Sequence, residues 1–385
     1  MVNSITYFII TISDYMRILH AGSMVNFGYI VTTQLRQKNY DVDLVIAKNP
    51  IKTDDPLVFD PNLKSYPEWI KFFDRKKSSW KWDLVKIMRD NYDLIHADVE
   101  NPIFAYISRK KFIAQTQGSD LRELAFSNSI KGILLRRAYK RAKVILYFQP
   151  DHEPLFSKLK LTNQIFLPPS GYTNFYEKSD IYSPSDFSDK FLIFHPANLD
   201  WRLKGNDKLL KGFSKFVQSN PDSFMIIVDR GPDSVKTHQL VKKLNIEKYI
   251  KFINGPLNPY ELKKYYNLAD VVADHFAYGS LGSIGWEVLA SKKPLLGFIF
   301  DDLYTKLYGE PPPVVNSLTP SEINDSLEIL KDTNMRTELG VKGKKWITKY
   351  HSPEIYLKKL TTIYNLVIND KKVDEIRYEL EKIHY

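Results

Sequence analysis

Residues 274–296 read DHFAYGSLGSIGWEVLASKKPLL, and this stretch decides the fold. An apolar strand closes at His275 and Phe276. Gly279, Gly282 and Gly285 then punctuate a turn, and a helix begins at Ser283. A strand that runs through a glycine turn into a helix is half of a parallel β–α–β unit. Small residues let backbone N–H groups approach an anion closely. The start of a helix adds unsatisfied donors and a favourable dipole, so a diphosphate is a natural occupant. Glu287 lies about one turn inside the helix, where a carboxylate can accept hydrogen bonds from sugar hydroxyls. Glycine spacing alone equally suits a tight connection that binds nothing. The preceding strand, Glu287 and the downstream VLASKKPLL weigh toward a site.

The same alternation extends in both directions. Towards the amino end, FLIFH (191–195), SFMIIVD (223–229), IKFIN (250–254) and VVADHF (271–276) read as strands. Helices are expected from about Gly205 to Gln218, on to about Leu244, from Pro259 to Leu268 and from Ser283 to Ala290. PLLGFIF (294–300) reads as the last strand. Helices are expected over Ser321–Leu330, Met335–Tyr350, Pro353–Ile368 and Asp374–His384. Before residue 180, strands are expected at Arg17–Ala21, Val42–Ala47, Asp93–Ala97, Lys111–Gln115, Val144–Phe148 and Gln164–Leu167, with a helix reaching about Lys38. Short apolar runs joined by amphipathic helices imply parallel sheets. The polar stretch DIYSPSDFSDK (180–190) is the linker candidate.

The expected architecture is therefore α/β, with two Rossmann-like domains facing across a deep inter-domain cleft. The first spans 1–185, the second spans 190–350, and the helices of 351–385 pack back toward the first. Ligands of open parallel sheets sit at the carboxyl ends of strands, so the cleft is the default site.

At 385 residues, the chain exceeds one ordinary domain of ~150. Hydrophobic residues make up 43% and charged residues 26%, which excludes a disordered tail, a collagen-like fibre and a membrane bundle. Cysteine is absent, which removes disulfides, thiolate zinc sites and cysteine nucleophiles. The 55 Lys+Arg against 45 Asp+Glu give +10, a balance that favours polyanions. ITYFIITI (5–12) falls short of the ~20 residues of a membrane span, and it lacks the leader of a signal peptide. The expected location is cytoplasmic, with peripheral association at the cytoplasmic membrane face.

The motif and its neighbours resemble retaining glycosyltransferase family 4, on the two-domain GT-B fold. The 274–296 segment is similar to the family's nucleotide-sugar motif. AQTQGSDLRELA (114–125) resembles its HGSDLRE-type segment, and FLPPSGYTNFY (166–176) resembles its LPNGVDTxxF segment. HPANLDWRLKGNDKLLKGF (195–213) resembles its GRLxxxKGxDxLIxAF segment, and NLADVVADHF (267–276) resembles the approach strand. The likeness spans roughly residues 16 to 350.

It implies a nucleotide-diphosphate sugar as co-substrate, no further cofactor and no metal. No DxD pair stands beside the expected site; Asp54–Asp55 and Asp301–Asp302 read as exposed loop pairs. It also implies front-face substitution with retention, in which the leaving diphosphate oxygen takes the acceptor's proton. Lys204 matches the phosphate-binding Lys, Glu287 the ribose-binding Glu, and Gly22 the small residue of the first loop. Arg202 and the amides of Gly279, Ser280, Leu281, Gly282 and Ser283 would stabilise the departing anion. Asn198 and Arg230 fall on the donor side, Arg230 near the base. Gln117 and Asp120 would line the acceptor side or touch the sugar.

Three positions depart from the pattern. Gly279 stands where the family carries its first motif Glu, Gln117 stands for the His, and Asn198 stands for the Arg of the GRL-type segment. They imply either a different donor sugar or a catalytically silent relative acting as a sugar-binding or partner subunit. His96 and His195 end strands and read as structural residues as readily as ligands. The acceptor is expected to be a glycan or a lipid-linked molecule. Basic, aromatic segments at 66–89 and 124–150 suit an anionic membrane surface, or equally a solvated helix face. Nucleic acid is not an expected partner, since no recognised module accompanies the charge. A nicotinamide dehydrogenase is disfavoured by HAGSMVNFG (20–28), which lacks GxGxxG spacing, and a sugar-nucleotide epimerase is a further alternative.

Overall fold

The computed structural model describes residues 16–170, 175, 176, 187 and 190–384. Residues 5–12 and most of the 180–190 linker candidate lie outside these. The chain forms two compact units. The first comprises 1–147, 155–167 and 357–384, and the second comprises 148–154 and 168–356. The expected boundaries are thus corrected: 148–154 goes with the second unit, and the first regains chain at Leu357. The helices Pro353–Ile368 and Val373–Glu381 supply that return.

In the first unit, the strands are β1 (Arg17–Ala21), β2 (Asp41–Ala47), β3 (Ile70–Phe73), β4 (Leu94–Asp98), β5 (Phe112–Gln115), β6 (Ile145–Tyr147) and β7 (Gln164–Phe166). They form one sheet in the order β3-β2-β1-β4-β5-β6-β7, and each pairing is parallel. Parallel neighbours require crossover helices, which cover both faces and bury the strands along their length. Leu94 to Asp98 and Phe112 to Gln115 are accordingly all buried. The chain reverses direction across the sheet between β1 and β4, where His20 registers with His96.

The second unit repeats the plan with β8 (Phe191–His195), β9 (Ser223–Asp229), β10 (Ile250–Asn254), β11 (Val271–Ala273), β12 (Leu295–Gly297) and β13 (Val314–Asn316), ordered β10-β9-β8-β11-β12-β13. Its reversal lies between β8 and β11. Phe213, Phe216, Ile193, Val271 and Phe276 centre its core, each fully buried. Burial of such a side chain contributes roughly 1.5–3 kcal/mol. The reversals bring together the loops that follow β1 and β4, and those that follow β8 and β11.

Two short strands escaped the sequence reading. β3 lies inside the 66–89 segment and hides Ile70 and Phe73 in a run of four. β13 is three residues long and pairs with β12 beyond the strand expected to be last. Asp301 and Asp302 are not a loop pair; they form the first turn of the helix Asp301–Tyr308, where carboxylates complement the dipole. Asp54 closes a short turn and accepts the Val25 amide at 2.9 Å, and Asp55 caps the helix Pro56–Phe59.

Candidate functional site

The second unit builds its site from three loops. β8 ends at His195, which is buried. Its Nδ1 bonds the Ala273 carbonyl at 2.8 Å, and its Nε2 bonds the Asn206 amide nitrogen at 2.8 Å. Nε2 therefore accepts from Asn206 and Nδ1–H donates to the carbonyl. Burial pushes the imidazole down to about 4, so His195 is a neutral bracket between β8 and β11. Asn206 also holds the Asn198 carbonyl at 3.2 Å and the Asp200 amide at 3.0 Å. Asp200 caps the short helix Trp201–Lys204 through the Leu203 amide.

Gly205 ends that helix at φ +67°. A Cβ there would press to 3.1 Å on the Phe276 carbonyl oxygen. The close approach lets the Phe276 amide donate to the Lys204 carbonyl at 2.7 Å. Lys208 Nζ donates to the Phe276 carbonyl at 2.8 Å. Lys204 is thereby fastened, half-buried, to the loop after β11, whereas Arg202 is exposed.

In that loop, Gly279 has φ +71°, and an added Cβ would sit 2.4 Å from the Phe300 ring. The ring occupies the space where a longer side chain would begin. Ser280 Oγ donates to Asp151 Oδ1 at 2.6 Å, and the Leu281 amide donates to the Tyr304 hydroxyl at 2.6 Å. Both groups are thus engaged inside the unit. The helix Ser283–Ala290 starts at Gly282 without a side-chain cap, and a Cβ on Gly282 would meet nothing within 4 Å. No side chain caps its first amides.

Glu287 accepts the Tyr266 hydroxyl at 2.7 Å. Burial pushes its carboxyl up to about 7, against hydrogen bonds from Tyr266 and Tyr176. Arg230 lies in the field of Glu287 and Tyr266; burial pulls its guanidinium down. The expected base-side Arg and ribose-side Glu therefore share one environment. Sequence reasoning missed Asp274, which ends the approach to the same loop. It is 2% exposed, and both carboxylate oxygens lack a hydrogen-bond partner.

In the first unit, Gly22 has φ +106°, and a Cβ would stand 2.6 Å from Asn101 Nδ2 and 3.1 Å from Asp98 Cβ. Asp120 is 2% exposed. Its Oδ1 accepts the Gln117 and Gly118 amides at 3.0 and 2.6 Å, and its Oδ2 accepts the Tyr139 hydroxyl at 2.8 Å. Every bond it makes is internal, so Asp120 shapes the turn that presents Gln117. Gln117 Nε2 reaches Asp98 Oδ2 at 3.4 Å. Asp98 was also missed, although it directly follows the DLIHA strand whose His96 had been weighed.

Residues 178–299 match the family model described as glycosyl transferases group 1. Over that segment the chain is similar to the glycosyl transferases group 1. N-acetyl-alpha-D-glucosaminyl L-malate synthase of Bacillus anthracis is 23% identical over 318 residues, covering 75% of this chain and 78% of the relative. Alpha-monoglucosyldiacylglycerol synthase of Acholeplasma laidlawii is 23% identical over 377 residues, covering 86% and 91%. Among solved structures, HepE of Anabaena in complex with UDP and glucose superposes with a TM-score of 0.71 at 15% identity, covering 91% of this chain and 100% of that one. That likeness carries the GT-B fold. Relatives named as glycosyltransferases bear out the enzymatic expectation, and the two parallel sheets with their GT-B neighbours bear out the expected fold class.

Proposed function

We propose that the chain is a retaining transferase that moves a sugar from a nucleoside diphosphate donor to a glycan or lipid-linked acceptor, without a catalytic metal. One observation carries this reading: the uncapped start of the helix Ser283–Ala290 opens beside a loop to which Lys204 is fastened through Phe276. A helix start with a lysine on the segment fastened beside it suits a diphosphate. Glu287, held by Tyr266, accepts the ribose hydroxyls, and Arg230 lies on the base side. As the sugar–oxygen bond breaks, negative charge grows on the departing phosphate. Lys204 and the helix amides stabilise it in place, with little reorganisation. The phosphate oxygen then takes the acceptor's proton. Gln117, presented by the Asp120 turn, is the acceptor-side residue.

UDP in the HepE structure supports a uridine donor, and the diacylglycerol in one relative's name supports a lipid acceptor. Partners and place follow the same reading: a cytoplasmic enzyme, peripheral on an anionic bilayer and indifferent to nucleic acid. Trp69 and Trp80 pack inward on Tyr29 and Phe73. Trp82, Phe126 and Ile130 are exposed among the basic residues of 66–89 and 124–150. No described helix is long and apolar enough to cross a membrane.

The test is a thermal-shift screen of nucleoside diphosphates and their sugars. A ligand at ~100-fold its dissociation constant stabilises by ~2.7 kcal/mol. Lys204→Ala is expected to remove the shift; an unchanged shift in that variant places the diphosphate elsewhere.

A further inference from the structure

His20, His96 and Asp98 come together at the reversal point of the first sheet. His20 is the last residue but one of β1, His96 is the middle residue of β4 and Asp98 its last; all three are 0% exposed. Their donor atoms lie within 4.8 Å of one another, and among the described residues no other His, Asp or Glu group is so placed. The imidazole rings stack at 4.4 Å. His20 Nε2 touches Asp98 Oδ2 at 3.1 Å, and His96 Nε2 stands 3.9 Å from Asp98 Oδ1.

That last distance is informative. His96 Nε2 and Asp98 Oδ1 are both buried, and neither has a hydrogen-bond partner. A gap of 3.9 Å is too long for a shared proton. Two ligand bonds of ~2.1 Å span up to ~4.2 Å, so an ion between the two atoms reaches both. All the donor atoms of the set lie within 4.8 Å of one another, and binding one ion at ~2.1 Å draws them together by on the order of 1 Å. His96 Nδ1 meets the Tyr364 hydroxyl at 2.7 Å, the outer contact that orients a metal-binding imidazole and leaves Nε2 as the ligand. Gln115 borders His96, and Gln117 Nε2 lies on Asp98 Oδ2.

We infer that His20, His96 and Asp98 form a site for one divalent transition-metal ion, of the zinc, cobalt or iron kind, that locks β1 to β4 in the first unit. Two imidazoles and one carboxylate suit borderline ions and not calcium or magnesium. The ion is structural: it satisfies buried atoms that are otherwise orphaned, and the sugar-transfer steps do not pass through it. This inference stands on the first unit and is independent of the donor site.

The experiment uses the full chain, purified without chelator from zinc-supplemented cells, with metal content measured directly. A chelator-treated sample is then titrated with cobalt(II) and zinc(II), reading the visible cobalt spectrum and the thermal midpoint. The expected result is one equivalent per chain, a nitrogen/oxygen cobalt spectrum and a raised midpoint. Asp98→Asn abolishes these. Tyr364→Phe keeps the packed ring and weakens affinity ~10–100-fold, which decides the matter if Asp98→Asn does not fold. A chain that neither retains nor takes up a stoichiometric ion overturns the site, as does binding that survives both substitutions.

Discussion

Single residues at the proposed donor site carry measurable costs in stability. Glu287 is ordinarily acidic near 4.5, and burial pushes it up to about 7. The folded chain thus keeps a proton that the unfolded chain releases across that window. A raised carboxyl pKa means the native state binds more protons, so stability falls as pH rises from 4.5 to 7 and does not recover above. Glu287→Gln removes this penalty. Relative to the parent, the variant is expected to gain about 2–3 kcal/mol between pH 5 and pH 8, measured by urea unfolding at both values. An equal difference at both pH values contradicts the assignment. Gly279 poses the opposite case. Its φ of +71° and the Phe300 ring beside an added Cβ disfavour a side chain. Gly279→Ala is expected to cost roughly 1–3 kcal/mol. Gly279→Glu therefore does not restore the missing family carboxylate unless Phe300 is cut back to Ala as well, a contrast that donor-hydrolysis assays of the single and double variants resolve.

At the scale of elements, legibility followed length and apolarity. The helices Pro259–Leu268, Ser283–Ala290 and Pro353–Ile368 matched their expected spans, because proline or glycine marks their starts and a long periodic face follows. β3 and β13 stayed hidden because three or four residues cannot show a period, and edge strands expose half of what they carry. The glycine loop before the helix Ser283–Ala290 was visible in the sequence, yet the sequence is silent on which amides are already used: Leu281 bonds Tyr304, which lies 23 residues away. Asp98 and Asp274 escaped for a related reason, since only three-dimensional pairing shows that a carboxylate is buried. The 114–125 turn was recognised as a motif, but Asp120 works within it. Tyr139→Phe leaves Asp120 Oδ2 buried without its donor. This is expected to cost ~1–3 kcal/mol, and because the turn presents Gln117, to raise the acceptor KM more than it lowers kcat. A loss of kcat alone, with KM unchanged, assigns Asp120 to the chemistry instead.

At the scale of the molecule, the first unit is completed by the far end of the chain. Leu360, Ile363, Tyr364 and Val367, on the helix Pro353–Ile368, are all 0% exposed. Tyr364 holds His96, Lys111 Nζ and Lys143 Nζ bond Asp370 at 2.9 and 2.8 Å, and Arg377 bonds the Gln164 carbonyl at 2.8 Å. Surface ion pairs contribute little, so the apolar side chains decide the outcome. Four of them at roughly 1.5–3 kcal/mol each are comparable to the whole ~5–15 kcal/mol that holds a domain together. Ending the chain at Tyr356 is therefore expected to unfold the first unit, which by sequence order alone would stop before the linker. Hydrogen exchange reads this directly: amides of β4 and β5 lose protection, and those of β8 and β9 serve as the internal reference. Full protection of β4 in the shortened chain means that the closing helices are dispensable to the core they cover.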